Sequence, residues 1–280
     1  MKKLKTALFI LLACILAILS KIILPSEVNA QDFDSFLVTK LGFPIVASLY
    51  FVMIYSHNAI VAAKFSEKSK LSNFQCGLRT GLSFGLIYLL GMEEVVVESS
   101  PFSEWGLQFV GYQFVMGIGE AVMALLLCFC ITRFVSPRKE KSEQKVVRTS
   151  VKNDALAVIL ITVFFFIERT ILYNTGLISS DVKTYPLPTY VWTIIFGAAL
   201  GFCFCLLKPL IDEEKSIKMC AKVCVLAIGL CWIGFNLFIA FIFKDSLGDI
   251  LIRCITDVIS VFSAALLWIR MVKKDEKIYA

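Results

Sequence analysis

Glu120 lies inside the apolar run LQFVGYQFVMGIGEAVMALLLCFCI, with no lysine or arginine within two helical turns to neutralise it. An ionisable side chain within a membrane span costs at least a few kcal/mol and turns toward the bundle interior, so each such group is a functional candidate. A carboxylate at that depth carries a proton or binds a cationic group. His57 and Asn58 fall deep in another apolar run; an imidazole titrating near neutrality exchanges protons with a carboxylate, and both side chains equally suit interhelical hydrogen bonding. Glu168 and Arg169 are adjacent, so on a helix they point about 100° apart and are expected to serve different partners. Asp257 stands one turn from Arg253, at a spacing where the two can pair. Glu120, His57, Asn58, Glu168, Arg169 and Asp257 therefore form the expected substrate or ion pathway; the competing reading makes the same residues static ties between helices.

The segment GLRTGLSFGLIYLLGMEE, from Gly77 to Glu94, contains a G-x-S-x-G string. A hydrolase nucleophile needs that string at a sharp strand-to-helix turn, and no strand pattern precedes it. On a helix Gly77, Gly81 and Gly85 form one stripe that admits a neighbouring backbone, with Ser83 roughly 200° away from its centre. Gly197 and Gly201 repeat the device on a smaller scale. The stripe is expected to be a packing seam. Glu93 and Glu94 resemble the opening of the E-E-x-x-x-R motif of CAAX-type intramembrane proteases, but position 98, where the arginine would stand, is glutamate, and His57 is the only histidine. Glu93, Glu94 and Glu98 then read as an acidic outer rim at a helix end.

No catalytic set, metal set or cofactor motif is read from the chain. Of its 10 cysteines, those at 128 and 130 and at 203 and 205 form C-x-C pairs. Residues two apart on a helix point roughly 200° apart and do not converge on one ion, so the cysteines are expected to be small apolar filler.

The elements that position these groups follow from composition. Over 280 residues the chain is 58% hydrophobic and 18% charged, with a mean hydropathy of +0.81. Its apolar runs approach the roughly 20 residues that cross a bilayer. The expected fold is an all-α bundle of eight transmembrane helices, at about Ala7–Leu24, Phe43–Ala63, Leu78–Val97, Leu107–Ile131, Ala155–Tyr173, Tyr190–Leu207, Val223–Phe243 and Gly248–Met271. The count becomes seven if the amino-terminal segment, residues 1–30, is a cleaved signal: MKKLKT, an apolar stretch and Val28-Asn29-Ala30 have that pattern, although Lys21 interrupts the run. Residues 31–135 would form a first helical half, 136–154 a basic cytoplasmic linker and 155–280 a second half. A parallel 4+4 pseudo-repeat would give each half one central acid on its last span, Glu120 or Asp257.

The net charge of +6 sits mostly in alternate short connections, while the remaining connections are acidic. The positive-inside rule then places both termini in the cytoplasm, and the composition suggests a bacterial cytoplasmic membrane. Expected partners are membrane lipid, an unidentified small solute or ion, and a further membrane subunit or a second copy; the basic residues do not form a nucleic-acid footprint. The leading functional expectation is a small-solute or ion-coupled transporter with a buried carboxylate at the bundle centre. The alternative is a non-catalytic scaffold, sensor or accessory subunit. A membrane-embedded enzyme on lipid-linked substrates is third, since no nucleophile and base are assembled.

Overall fold

The computed structural model describes residues 2–22, 33–96, 106–136, 150–211 and 216–278, and every regular element among them is helical. The proposed cleavage pattern at Val28–Ala30, the residues Glu98 and Glu104, and most of the 136–154 linker lie outside the described residues. In chain order the helices are α1 (Lys2–Ile22), α2 (Phe36–Leu41), α3 (Phe43–Lys68), α4 (Asn73–Gly91), α5 (Gly106–Cys130), α6 (Val151–Thr175), α7 (Pro186–Leu207), α8 (Ile217–Cys220), α9 (Leu230–Ile242) and α10 (Leu247–Ile278). A 3₁₀ turn, Met92–Val96, continues α4; a π turn, Ile131–Val135, continues α5; and a π segment, Ala221–Gly229, joins α8 to α9 in one rod.

Among the described residues, seven helices are long and apolar enough to cross a membrane: Lys2–Lys21, Phe43–Lys68, Gly111–Val135, Val151–Thr175, Pro186–Leu210, Ile217–Ile242 and Leu247–Lys273. The chain is a multi-pass membrane protein. Its outward faces fit that solvent: Leu4, Leu8, Leu11 and Leu12 are exposed along α1, and Ile159, Val163, Ile167 and Ile171 form an exposed stripe at four-residue spacing along α6.

The expected eighth span, Leu78–Val97, corresponds to α4, which is not among the seven. Asn73, Gln75, Arg79, Thr80 and Ser83 dilute its apolar content. Those polar groups are tolerated because α4 is wrapped by α3, α5, α7 and α9. Ser72 and Gln75 cap its start reciprocally, Ser72 Oγ accepting from Gln75 N and Gln75 Oε1 accepting from Ser72 N. Inside the helix Thr80 and Ser83 donate to the carbonyls of Cys76 and Arg79 four residues back.

The glycine stripe explains how α4 and α5 come so close. A Cβ on Gly77, Gly81 or Gly85 would lie 2.8 Å from Phe129 Cα, 2.7 Å from Leu125 Cα and 3.2 Å from Ala121 O, and Gly117 of α5 faces Leu89 Cα at 3.0 Å. With lipid as apolar as the side chains, such backbone contact and its dispersion energy hold helices together. Gly197 and Gly201 do the same for α7 against Thr162 and Val158 of α6. Gly176 serves differently: at φ 69° it ends α6 in the left-handed region, and Leu177 N closes the turn on Leu172 O.

Gly81→Ala places a methyl against backbone that has no room to yield. It is expected to cost about 1–3 kcal/mol and to lower the melting temperature in detergent. Gly111→Ala, where a Cβ meets nothing within 4 Å, should leave the melt unchanged; equal behaviour of the two variants would refute the seam.

Candidate functional site

Arg169 is fully buried on the inner face of α6, where an unpaired guanidinium would be prohibitive. Its Nε and one terminal nitrogen each donate to a carboxylate oxygen of Asp257 on α10, both at 2.7 Å, and its other terminal nitrogen donates to Glu94 at 2.6 Å. The rings of Phe165 and Trp192 flank the cation, with centroids 5.2 and 5.6 Å from it. Asp257 also accepts from Trp232 Nε1 at 2.8 Å. The same Glu94 oxygen accepts from Arg253 at 3.0 Å, and Arg253 donates onward to Asp249 at 2.8 Å and to the carbonyl of Ser179 at 2.9 Å. Charges thus alternate along Asp257, Arg169, Glu94, Arg253 and Asp249. The planar guanidinium fork is what allows two parallel bonds to Asp257 and a third to Glu94.

Two expectations are corrected here. Arg253 does not pair with Asp257 one turn on; it pairs with Asp249 one turn back, because Asp257 is taken by Arg169. Glu94 is not part of an exposed acidic rim: it is 2% exposed, and the 3₁₀ turn after α4 carries it between the two arginines. A third expectation holds only in its geometry. Arg169 turns inward and Glu168 sits half-buried on the adjoining face, yet both long side chains reach the neighbourhood of Asp257. Among the described residues, both carboxylate oxygens of Glu168 and both of Glu93 are buried without a hydrogen-bond partner.

Glu120 belongs to a separate centre. It is 1% exposed, and one of its oxygens accepts from Lys21 Nζ at 2.5 Å. The ammonium lies 5.2 Å from the centre of the Phe51 ring, and the phenols of Tyr50 and Tyr55 stand beside the carboxylate. Among the described residues, the second Glu120 oxygen and the Tyr55 hydroxyl have no hydrogen-bond partner. Sequence reasoning registers Lys21 only as a break in an apolar run. The usable signal is that a lysine carried by a span and a lone acid in another span at comparable depth require each other.

His57 and Asn58 form a third cluster, away from any of these carboxylates in their hydrogen bonding. His57 Nε2 donates to Leu226 O at 2.9 Å and its ring meets Phe84 edge-on. Leu226 lies in the π segment, where Leu230 N bonds the carbonyls of Val225 and Ala227 and passes over that of Leu226. His57 therefore serves a carbonyl that Leu230 does not reach. Asn58 accepts from Tyr88 Oη at 3.0 Å. These are interhelical hydrogen bonds in form, and the structure does not bring the six candidate residues into one site.

A cavity of about 10 Å³, the size of one water, lies against Asp257, Trp232 and Gly229. A cleft of about 350 Å³ lined by Phe36, Ala240, Phe243 and Leu247 holds none of the candidates. Ser83 Oγ is spent on Arg79 O, so the G-x-S-x-G string presents no free nucleophile. All ten cysteines are free thiols, and Cys203 Sγ donates to Ser83 O at 3.3 Å. The fold defines a class, that of multi-pass helical membrane proteins. Beyond that class, no family model, curated protein or solved structure matches the chain.

Arg169→Leu leaves Asp257 and Glu94 buried without their shared cation and is expected to cost about 3–5 kcal/mol, read as a lowered melting temperature of the purified protein. Arg169→Lys should recover little of this, since one ammonium cannot reproduce the bidentate bond and the third contact. Full recovery by lysine would show that charge alone matters there.

Proposed function

We propose that the protein is an ion-coupled transporter of a small solute, with Glu120 as the carboxylate that carries the coupling proton or a cationic group. The observation that supports this most is the kind of counter-ion Glu120 has. Arg169 is clamped from three sides by rings and carboxylates, whereas Glu120 is neutralised by one lysine reaching in from α1, a helix with only 17% of its apolar window buried. A single flexible ammonium can leave without dismantling the bundle. The Arg169 network then serves as the fixed frame tying α6, α10 and the end of α4.

In this reading α4 crosses as an eighth span, shielded from lipid by its neighbours, and the two halves relate in parallel, each with its acid on its last span. The basic connections face the cytoplasm together with the carboxyl terminus, in a bacterial cytoplasmic membrane. A scaffold or accessory subunit is the second reading, favoured by the close packing: the space against Asp257 admits about one water.

The discriminating experiment is Glu120→Cys in a background without the native cysteines, probed with a membrane-impermeant thiol reagent from each face. The expected result is labelling from one face, the mark of a water-filled path to position 120. Absence of labelling from both faces in a folded protein would overturn the transporter reading in favour of the scaffold.

A further inference from the structure

The charged and aromatic groups that surround the Lys21 ammonium come from helices other than its own. Glu120 comes from α5, and Tyr50, Phe51 and Tyr55 come from α3; only the cation is supplied by α1. We propose that these four residues form a binding site for primary alkylammonium cations, and that Lys21 is its tethered occupant, displaced when a soluble amine enters. The proposal rests on the transporter reading of Glu120 and names the class of cation that the site takes.

Three features select that class. The carboxylate at 2.5 Å and the ring face at 5.2 Å meet an ammonium from two sides, the combination that recognises organic cations in a desolvated setting. Acceptor capacity exceeds what Lys21 uses: an ammonium has three hydrogens, and the second Glu120 oxygen and the Tyr55 hydroxyl are both buried and unpartnered. Tyr55 is 0% and Tyr50 2% exposed, so this capacity is not a surface accident. A bare metal cation would seek six or more oxygens and gain little from rings. A guanidinium would seek a flat bidentate partner of the kind Asp257 gives Arg169.

The tether is suited to release. Lys21 keeps 22% of its side chain exposed, and its neighbour Ser20 rests on Gly119, where a Cβ would come within 2.9 Å of Ser20 Oγ. The end of α1 thus lies directly on the site while most of the helix faces outward. Tethering gives Lys21 a high effective concentration, so a soluble amine competes only when abundant or when α1 moves away.

Lys21→Ala deletes the three carbons and the nitrogen of propylammonium, which is therefore the probe. In the full-length protein in detergent, Lys21→Ala is expected to lower the melting temperature, and propylammonium to restore most of the loss, with recovery growing as the logarithm of its concentration. Tetramethylammonium, which offers no N–H, and sodium at equal ionic strength should restore none. Adding Glu120→Gln to Lys21→Ala should abolish the recovery, and the wild type should respond far less to propylammonium than Lys21→Ala. If Lys21→Ala does not accumulate folded, expression and purification with propylammonium present make the same test: folded protein only with the amine supports the site, and none in either condition overturns it. Recovery that is absent, or equal with tetramethylammonium, also overturns it. Melting needs no membrane gradient, so the two proposals fail separately. Amine rescue without propylammonium flux in proteoliposomes would remove transport and keep the site, whereas solute flux without amine rescue would do the reverse.

Discussion

A guanidinium in the interior of a membrane bundle has no water to solvate it, and the position of Arg169 is set by that fact. Its five N–H groups must find acceptors in protein, and three bonds go to carboxylates on two other elements, Asp257 of α10 and Glu94 after α4. Each acid would in turn be untenable alone. Removing any member leaves an uncompensated charge, so the elements bearing them are locked into one relative placement. The network continues through Arg253 to Asp249 and to the carbonyl of Ser179. The network also ties register to chemistry: sliding α6 on α10 would take Arg169 away from the two Asp257 oxygens it holds and that Trp232 also meets.

The apolar runs could be located from composition because the lipid requirement acts on each helix separately. Sequence spacing placed Gly77, Gly81 and Gly85 on one stripe for the same reason, since a helical face is a local property. Pairings were not local. Arg253 has an acid one turn away on either side, Asp249 and Asp257, and spacing alone favours neither; only the arrival of Arg169 from α6 decides. Glu94 reads as rim because it follows an apolar run, and its burial depends on a 3₁₀ turn that tucks it between two arginines carried by distant segments. Lys21 reads as an interruption because its partner is 99 residues away. The polar character of α4 was visible, but what makes it tolerable, enclosure by α3, α5, α7 and α9, is a property of the assembled bundle.

The three polar centres differ in what they allow. His57 satisfies a carbonyl in the π segment, so its role is tied to the backbone geometry of that rod. The arginine network gives Arg169 three bonds to two carboxylates, with the rings of Phe165 and Trp192 flanking the cation. Glu120 combines one ion-pair partner, an oxygen without a hydrogen bond among the described residues, and an aromatic wall. A site that exchanges ligands needs an interaction strong enough to define position and simple enough to be replaced by another of its kind, and a monodentate ammonium–carboxylate pair meets both conditions where a bidentate guanidinium does not.

The same contrast says where motion can occur. Backbone contact through glycines joins α4 to α5 and α6 to α7, with Cβ-to-backbone clearances near 3 Å that leave no slack for sliding within either pair. Charges then fasten the end of α4 to α6 and α10. Helix α1 is held differently: Ala13, Cys14 and Ala17 are buried where it packs on α3 and α5, Phe9 stacks on Phe134, and at its Lys21 end a side-chain ion pair and a serine lying on a glycine join it to α5. Displacing α1 would break one ion pair and its apolar contacts with α3 and α5, whereas separating α6 from α10 would break two bonds to a single aspartate and strand Glu94 as well. The electrostatic cost of exposing Glu120 is therefore concentrated in one lysine, and any cation able to take the place of that lysine offsets most of that part.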